Sequence, residues 1–205
     1  IPFAIKKITN ISKAIKSLNI LGLNVTIPYK VQVIPELDII DASAKKIKSV
    51  NTLVFRKGLI KGYNTDLYGF SLGLEEKKSW NKKRPVFVYG AGGAAEAIIY
   101  YLKKEKVEDI TIINRTKSRA TNIIKRYKNI KFKKKEDFKN LKEAGLVINT
   151  TSLGMTGYPD LDINLKGVNK EAIIYDIVYN PINTKLIYKA KKEKLKYITG
   201  LDMFI

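Results

Sequence analysis

The sequence of 205 residues contains no cysteine and no histidine. The absence of cysteine excludes disulfides, thiolate metal sites and a cysteine nucleophile. The absence of histidine removes the commonest general acid/base of enzymes and the commonest zinc ligand. Any proton transfer by this protein must therefore use lysine, aspartate, glutamate or tyrosine.

Long apolar runs are also missing. Lysine interrupts each apolar stretch well short of the roughly 20 residues that a bilayer requires, and no signal peptide with a small-residue cleavage site is evident. We expect a cytoplasmic protein with no membrane partner. The apolar fraction of 45% is ample for the core of one large domain or two small ones.

Acidic residues are scarce beside basic ones, because 39 lysines and arginines against 19 acidic residues give a net charge of +20. Such an excess is typical of nucleic-acid-binding proteins. The lysines are spread along the whole chain, however, which favours a general compositional bias and solvated helix faces. We expect no nucleic-acid partner, although the positive field could steer an anionic cofactor or substrate.

The stretch 85–95 joins a predicted strand to a glycine turn and a helix. Val86–Tyr89 is a short apolar run typical of a central parallel strand. In the turn GAGGAA that follows, Gly90 and Gly92 permit close approach of the backbone to a pyrophosphate. The glycine motif alone is equally compatible with a structural turn, but its position between strand and helix favours phosphate binding.

Further strands are predicted at 109–113, 130–132, 144–148, 172–177 and 197–200, with helices between them. This alternation predicts a Rossmann-like parallel sheet, in which ligands bind at the carboxyl ends of the strands. Thr150 follows one of these strands. The pattern alone indicates a core residue at Ile177 and a turn at Gly200.

Cofactor choice in such a domain depends on the residues after the second strand. An acidic residue there accepts hydrogen bonds from the ribose of NAD but repels a 2′-phosphate. The chain has Asn114, Arg115 and Thr116 there, followed by Arg119. Because the guanidinium group suits phosphate, NADP is predicted over NAD, although Arg119 alone is also interpretable as an exposed helix residue.

The first half begins with an amphipathic helix predicted over Ile5–Leu18. A strand starting at Leu23 must end at Pro28, because proline has no N–H to donate to a sheet. Polar groups cluster at this strand end, and they are the donors that a hydroxylated or carboxylated substrate needs. They are Asn24, Thr26 and Lys30.

Helical segments are predicted around 33–37 and 42–48, followed by a hairpin of strands 50–55 and 59–63 with its turn at Lys57 and Gly58. Asp66 comes directly before another helical segment. Aspartate is a preferred helix cap, so this residue by itself is open to either a capping or a catalytic role.

Several short motifs follow one another along the chain: NVTIPYK (24–30), SVNTL (49–53), GYNTDLYGF (62–70), GAGGAA (90–95), NRT (114–116), NTTSLGM (149–155), YDIVYNPINTKL (175–186) and TGLDM (199–203). Their identity and order resemble those of the shikimate dehydrogenases. The resemblance runs from about Leu23 to the last residue. Proteins that share only the glycine turn have no reason to carry NVTIPYK or NTD.

The resemblance implies reversible, NADP-dependent hydride transfer between 3-dehydroshikimate and shikimate without a metal, in aromatic amino-acid biosynthesis. It implies that Lys30 is the acid/base and Asp66 its catalytic partner. The implied substrate-binding residues are Thr26, Lys30, Asn51, Asp66 and Tyr179. The implied cofactor-binding residues are Gly90, Ala91, Gly92, Gly93, Ala94, Asn114, Arg115, Thr116, Arg119, Thr150, Ile177 and Gly200.

We therefore expect a two-domain α/β protein with its site between the domains. Residues 1–66 and 200–205 are assigned to a small substrate domain, and residues 67–199 to a Rossmann-like, doubly wound NADP domain. In the resembled family a strand with a serine-bearing loop precedes the first residue, and a helix with a substrate-binding glutamine follows the last. The sequence is thus expected to be a truncated chain or a natural fragment.

Two alternatives stay open at this point. One is a quinate/shikimate dehydrogenase with relaxed cofactor use, and the other is a catalytically silent, basic binding protein with the same fold. The sequence also leaves the oligomeric state open, with a homodimer as one alternative.

Overall fold

The computed structural model describes residues 2–26, 28–76, 80–136 and 140–203. The chain forms two compact units, Ile1–Tyr68 and Gly69–Ile205. The predicted domain assignment includes residues 1, 204 and 205, which lie outside the described residues, and it stays a prediction. Among the described residues, no helix combines the length and apolarity that crossing a membrane requires.

The first unit contains two helices and a four-stranded sheet. Its elements are α1 (Ile11–Ser17), β1 (Gly22–Asn24), β2 (Ile39–Ile40), α2 (Ala42–Ile47), β3 (Thr52–Arg56) and β4 (Leu59–Tyr63), with a 3-10 turn at Ile34–Glu36. The strand order is β1-β3-β4-β2. The first three strands are antiparallel neighbours, and β2 runs parallel to β4.

The predicted hairpin is present. Arg56 pairs with Leu59, and the two residues between them, Lys57 and Gly58, have φ values of 51° and 77°. Two successive positive φ values are the geometry of a type I′ turn, which matches the twist of the flanking strands. The hairpin places Asn51 and Asp66 just outside its two strand ends.

Other elements of this unit differ from the prediction. The first helix begins at Ile11 rather than Ile5, because Asn10 has φ of 63° and a right-handed helix cannot include a left-handed residue. Strand β1 ends at Asn24, and residue 27 of the predicted strand lies outside the described residues. The short strand β2 was not predicted.

The second unit is a doubly wound α/β sheet, as predicted. Its elements are α3 (Asp66–Glu76), β5 (Val86–Tyr89), α4 (Gly93–Lys104), β6 (Ile110–Asn114), α5 (Lys117–Arg126), β7 (Ile130–Lys134), β8 (Leu146–Asn149), β9 (Ile173–Asp176), α6 (Lys185–Lys192) and β10 (Lys196–Ile198). The first three residues of α3 belong to the first unit. The strand order is β10-β9-β8-β5-β6-β7, and every pair is parallel.

This order reverses direction at β5, whose neighbours are β6 and β8. Ligands of open α/β sheets bind at such a reversal, outside the carboxyl ends of the strands. Every residue of β5, β8 and β9 is buried. Packing on both faces of the sheet therefore fixes the positions of these strand ends. Gly90 and Thr150 lie directly after the two strands that meet at the reversal.

Candidate functional site

The first group of candidate residues lies in the first unit, around Lys30 and Asp66. The Lys30 Nζ atom lies 2.6 Å from Asp66 Oδ2, and the two side chains are 22% and 15% exposed. Lys30 is part of a turn after β1, where its carbonyl accepts a hydrogen bond from the Val50 N–H at 2.8 Å. The lysine is therefore tied by its backbone to the start of the hairpin and by its side chain to the hairpin's end.

Asn51 holds the other oxygen of the same carboxylate. Its Nδ2 donates to Asp66 Oδ1 at 2.8 Å and to Thr65 Oγ1 at 3.0 Å. Its Oδ1 accepts from the Thr65 N–H at 2.9 Å and from Thr52 Oγ1 at 2.9 Å. With both ends of the amide engaged, the orientation of Asn51 is determined by the protein itself.

Asp66 is the first residue of α3, where the helix dipole favours a negative charge. Its two oxygens accept hydrogen bonds from the side chains of Lys30 and Asn51. Of the two roles that the sequence left open for Asp66, this arrangement favours the one in a site over the one in a helix cap.

Thr26 and Asn24 are exposed. Thr26 joins the turn through its carbonyl, which accepts from the Tyr29 N–H at 2.9 Å. Asn24 is in β1 opposite Thr52. Among the described residues, no side-chain hydrogen bond connects either of them to Lys30, Asn51 or Asp66.

The glycine turn in the second unit joins the end of β5 to the start of α4. Gly90 has φ of 113°, and a Cβ added to it would overlap Thr150 Oγ1. Thr150 donates from both its N–H and its hydroxyl to the Tyr89 carbonyl, at 2.9 and 2.6 Å. Helix α4 follows, and its N-cap Gly92 provides no side-chain acceptor, so the first amides of α4 face outward from the strand end.

The predicted 2′-phosphate residues lie at the end of β6. Asn114 is its last residue, and its Nδ2 donates to the Thr116 carbonyl at 2.8 Å, which shapes the turn into α5. Arg115 and Arg119 are both exposed. Within the described part of the chain, neither guanidinium has a hydrogen-bond or ion-pair partner, so both are available to an anion.

The remaining predicted residues follow β9 and β10. Ile177 is half-buried rather than a core residue, and its N–H donates to the Asn149 carbonyl at 3.2 Å. Gly200 is buried at the start of a 3-10 turn, and a Cβ there would overlap the backbone of Ile177 and Val178. Tyr179 is 54% exposed. The cofactor candidates thus share one sheet edge.

Sequence reasoning missed the residues that hold these groups in place. Thr52 and Thr65 orient Asn51. Asn149, Asp176 and Thr184 are among the polar residues that are buried in the second unit. The sequence did contain a signal for Asn149 and Asp176, because each ends an otherwise apolar strand. A polar group that is buried at such a position requires hydrogen-bond partners.

Comparisons with known proteins identify the family of the chain. The family model "Shikimate dehydrogenase substrate binding domain" matches residues 1–53, and the model "Shikimate / quinate 5-dehydrogenase" matches residues 72–177. The shikimate dehydrogenase (NADP(+)) of Clostridium perfringens is 40% identical over 99% of this chain and 76% of its own length. This chain belongs to the shikimate dehydrogenase family.

Two solved structures of the family show the same fold. The Thermus thermophilus shikimate 5-dehydrogenase, in complex with NADP(H) and shikimate, matches 98% of this chain and 75% of its own, with a TM-score of 0.84 and 29% identity. The Corynebacterium glutamicum quinate dehydrogenase, in complex with NAD, matches 95% of this chain and 72% of its own, with a TM-score of 0.86 and 28% identity. The family models and these two structures together match residues of both units of the chain.

Proposed function

We propose that this protein catalyses the reversible reduction of 3-dehydroshikimate to shikimate with NADPH as cofactor. The observation that carries the proposal is the ion pair of Lys30 and Asp66, 2.6 Å apart, in a chain of the shikimate dehydrogenase family. The protein is an oxidoreductase of biosynthesis, and the reaction is the conversion of a ring carbonyl into a hydroxyl group.

Lys30 supplies the proton in this reaction. When bound, NADPH supplies the hydride that adds to the carbonyl carbon. The negative charge that develops on the carbonyl oxygen is stabilised by the Lys30 ammonium, which then transfers one proton to that oxygen. In the reverse direction the neutral amine of Lys30 removes the hydroxyl proton.

Asp66 orients Lys30 and binds substrate. Each oxygen of a carboxylate can accept two hydrogen bonds, and the observed bonds from Lys30 and Asn51 use one site on each. The second acceptor site on each oxygen of Asp66 remains available for a substrate hydroxyl. Asn51 orients this carboxylate, and it would contact substrate by exchanging its hydrogen bond to Thr65 Oγ1 for one to the substrate. Thr26 and Tyr179 complete the proposed set.

The cofactor is held by the turn after β5 and the edge of the large sheet. Gly90, Ala91, Gly92, Gly93 and Ala94 would cradle a pyrophosphate, because the space beside Gly92 is open and the first amides of α4 follow it. Arg115 would bind the 2′-phosphate, with Asn114, Thr116 and Arg119 around it. Thr150, Ile177 and Gly200 would contact the nicotinamide half.

The test is an absorbance assay of NADPH oxidation with 3-dehydroshikimate, and of NADP reduction with shikimate. Lys30→Ala is compared with Lys45→Ala, which removes an exposed lysine of α2 in the same unit. Activity in the unmodified protein and in Lys45→Ala, with loss in Lys30→Ala, is the expected result. Turnover that persists in Lys30→Ala at the wild-type rate would remove lysine from the chemistry.

Quinate is the second candidate substrate, because the matching family model is described for both substrates and a quinate dehydrogenase has the same fold. The same assay with quinate, and with NAD in place of NADP, separates the two functions. Higher kcat/KM for quinate than for shikimate would identify a quinate enzyme. Cofactor and substrate binding without turnover would identify a silent binding protein.

Location and assembly belong to the same proposal. We propose a cytoplasmic enzyme, which cell fractionation tests directly. A homodimer stays a prediction, and light scattering of the purified protein measures it.

A further inference from the structure

Asp176 carries a fully buried carboxylate at the carboxyl end of β9, with 0% of the residue exposed. Its Oδ1 accepts hydrogen bonds from Asn149 Nδ2 at 2.9 Å and from the Val178 N–H at 3.1 Å. Its Oδ2 accepts from Thr184 Oγ1 at 2.6 Å. Burial raises the pKa of Asp176, and these three hydrogen bonds oppose that rise.

Asn149 extends this network into the turn after β8. Its Nδ2 also donates to the Leu153 carbonyl at 2.9 Å, and its Oδ1 accepts from the Thr151 N–H and hydroxyl at 3.0 and 2.7 Å. The Leu153 N–H in turn donates to Thr151 Oγ1 at 3.1 Å. One amide therefore determines the path of residues 149–153, which include the proposed cofactor contact Thr150.

Thr184 extends the network in the other direction. Its hydroxyl donates to Asp176 and accepts from the Ile187 N–H at 3.3 Å, which caps α6. The segment 177–183 is thus hydrogen-bonded to Asp176 near both of its ends, through the Val178 N–H and the Thr184 hydroxyl. Gly200 is attached to the same segment, because its N–H donates to the Val178 carbonyl at 3.3 Å.

We propose that Asp176 is a positioning residue that holds the turn 149–153 and the segment 177–184 in the arrangement required for NADP binding. This inference rests on the proposed function. Among the described residues, every hydrogen-bond partner of the carboxylate is a donor, so the position requires a group that only accepts. An amide of the same shape would turn its NH₂ toward a donor and leave a buried group unpaired.

The first test compares Asp176→Asn with Val107→Ala. Val107 is buried before β6, at the opposite edge of the sheet from the site, and its truncation destabilises the unit without touching either turn. At a temperature where both variants are folded, we expect Asp176→Asn to weaken NADPH binding about tenfold by calorimetry, because small displacements of contact groups have large effects. Val107→Ala should stay within about twofold.

Amide hydrogen exchange provides a readout that needs no ligand. Asp176→Asn should accelerate exchange at the N–H groups of Thr151, Leu153 and Val178, and Val107→Ala should not. If the unmodified protein fails to oxidise NADPH with 3-dehydroshikimate, the proposed function is wrong, whereas exchange and cofactor affinity still decide the role of Asp176.

A second pair of variants keeps the proposal testable if Asp176→Asn does not fold. Thr184→Ser retains the hydroxyl and should bind NADPH like the unmodified protein, while Thr184→Val loses it and should bind about tenfold more weakly. Unchanged affinity and unchanged exchange in Asp176→Asn, or equal affinity of the Ser and Val variants, would overturn the proposal.

Discussion

Lys30 and Asp66 lie 36 positions apart in the chain, and their side chains form an ion pair of 2.6 Å. The carboxylate orients the Lys30 ammonium, which is the form that donates a proton when a carbonyl is reduced. Oxidation of the hydroxyl needs the neutral amine instead. The pair therefore places the proton donor of the reductive direction against a carboxylate that Asn51 also holds.

The first prediction concerns the chemistry of Lys30. Lys30→Ala should lower kcat for shikimate oxidation about 10²-fold or more, with a much smaller change in KM, because general acid/base catalysis contributes about 10² to 10⁴. Steady-state kinetics with saturating NADP measures both constants. An increase in KM alone would make Lys30 a binding residue and direct attention to Asp66 and Tyr179.

The second prediction concerns Asp66. Asp66→Asn keeps an acceptor for Asn51 but removes the charge opposite Lys30, so turnover should fall while the fold and NADPH affinity are kept. The matched control is Asp41→Asn, because Asp41 caps α2 in the same unit by accepting from the Ser43 N–H at 3.0 Å. Equal kcat in the unmodified protein and Asp66→Asn would contradict the proposed orienting role.

The third prediction concerns cofactor choice. Arg115→Asp should narrow or reverse the preference for NADPH over NADH, because a charge-assisted contact to phosphate contributes about 1.5 to 3 kcal/mol, or about ten- to hundredfold in affinity. Lys166→Asp makes the same charge change at an exposed position of the same unit and should leave the preference unaltered. Equal affinities of the unmodified protein for NADPH and NADH, measured by titration, would contradict the predicted preference for NADPH.

The fourth prediction concerns the glycine turn. Gly90→Ala places a Cβ against Thr150 in a backbone conformation with φ of 113°, so stability and NADPH affinity should both fall. Gly157 has φ of 84° with open space around its Cβ position, and Gly157→Ala therefore costs only the backbone strain, about 1 kcal/mol. Thermal unfolding and calorimetry of both variants separate strain from overlap. Wild-type NADPH binding by Gly90→Ala would argue against a cradle at this turn.

The fifth prediction concerns the pH dependence of stability in the first unit. The Asp38 carboxylate accepts from the Ile60 N–H at 2.8 Å and from Lys16 Nζ at 3.2 Å, which lowers the pKa of Asp38 below its ordinary value of 3.8. A lowered pKa stabilises the fold above the ordinary value, and that stabilisation disappears as pH falls through the folded-state pKa.

Asp38→Asn should accordingly be less stable than the unmodified protein at neutral pH, and the difference should shrink as the pH falls below 3.8. Urea unfolding at neutral pH and at two acidic pH values measures the difference in the free energy of unfolding between the two proteins. A difference that is independent of pH would mean that the charge of Asp38 does not contribute.

Local features were predictable because their causes are local. The run Val86–Tyr89 followed by Gly90 indicated a buried strand and a glycine turn, and the structure has a buried strand that ends at Gly90 with a positive φ. Lys57 and Gly58 indicated the hairpin for the same reason. The parallel sheet also followed, because strands that alternate with helices are typical of parallel α/β sheets.

Features that depend on distant partners were not predictable. Strand β2 is two residues long and exists because Ile39 and Ile40 pair with β4. Residues 5–10 have a helical apolar pattern but are not helical, and Ile8 is buried in the core without being part of a helix. Neither outcome has a signal in the residues themselves, because tertiary packing overrides propensity.

The sequence by itself determined the α/β class, the parallel NADP-binding sheet, the available proton donors and the motifs of the shikimate dehydrogenase family, since these follow from composition, periodicity and short motifs. The resemblance implied that Asp66 is the partner of Lys30, and the tertiary structure showed the geometry of their ion pair. Only the tertiary structure decided that Asn51 holds the same carboxylate and that Asp176 is fully buried among three donors. The physical reason is that a hydrogen bond between side chains depends on distances of a few tenths of an ångström, and the packing of whole strands and turns sets those distances.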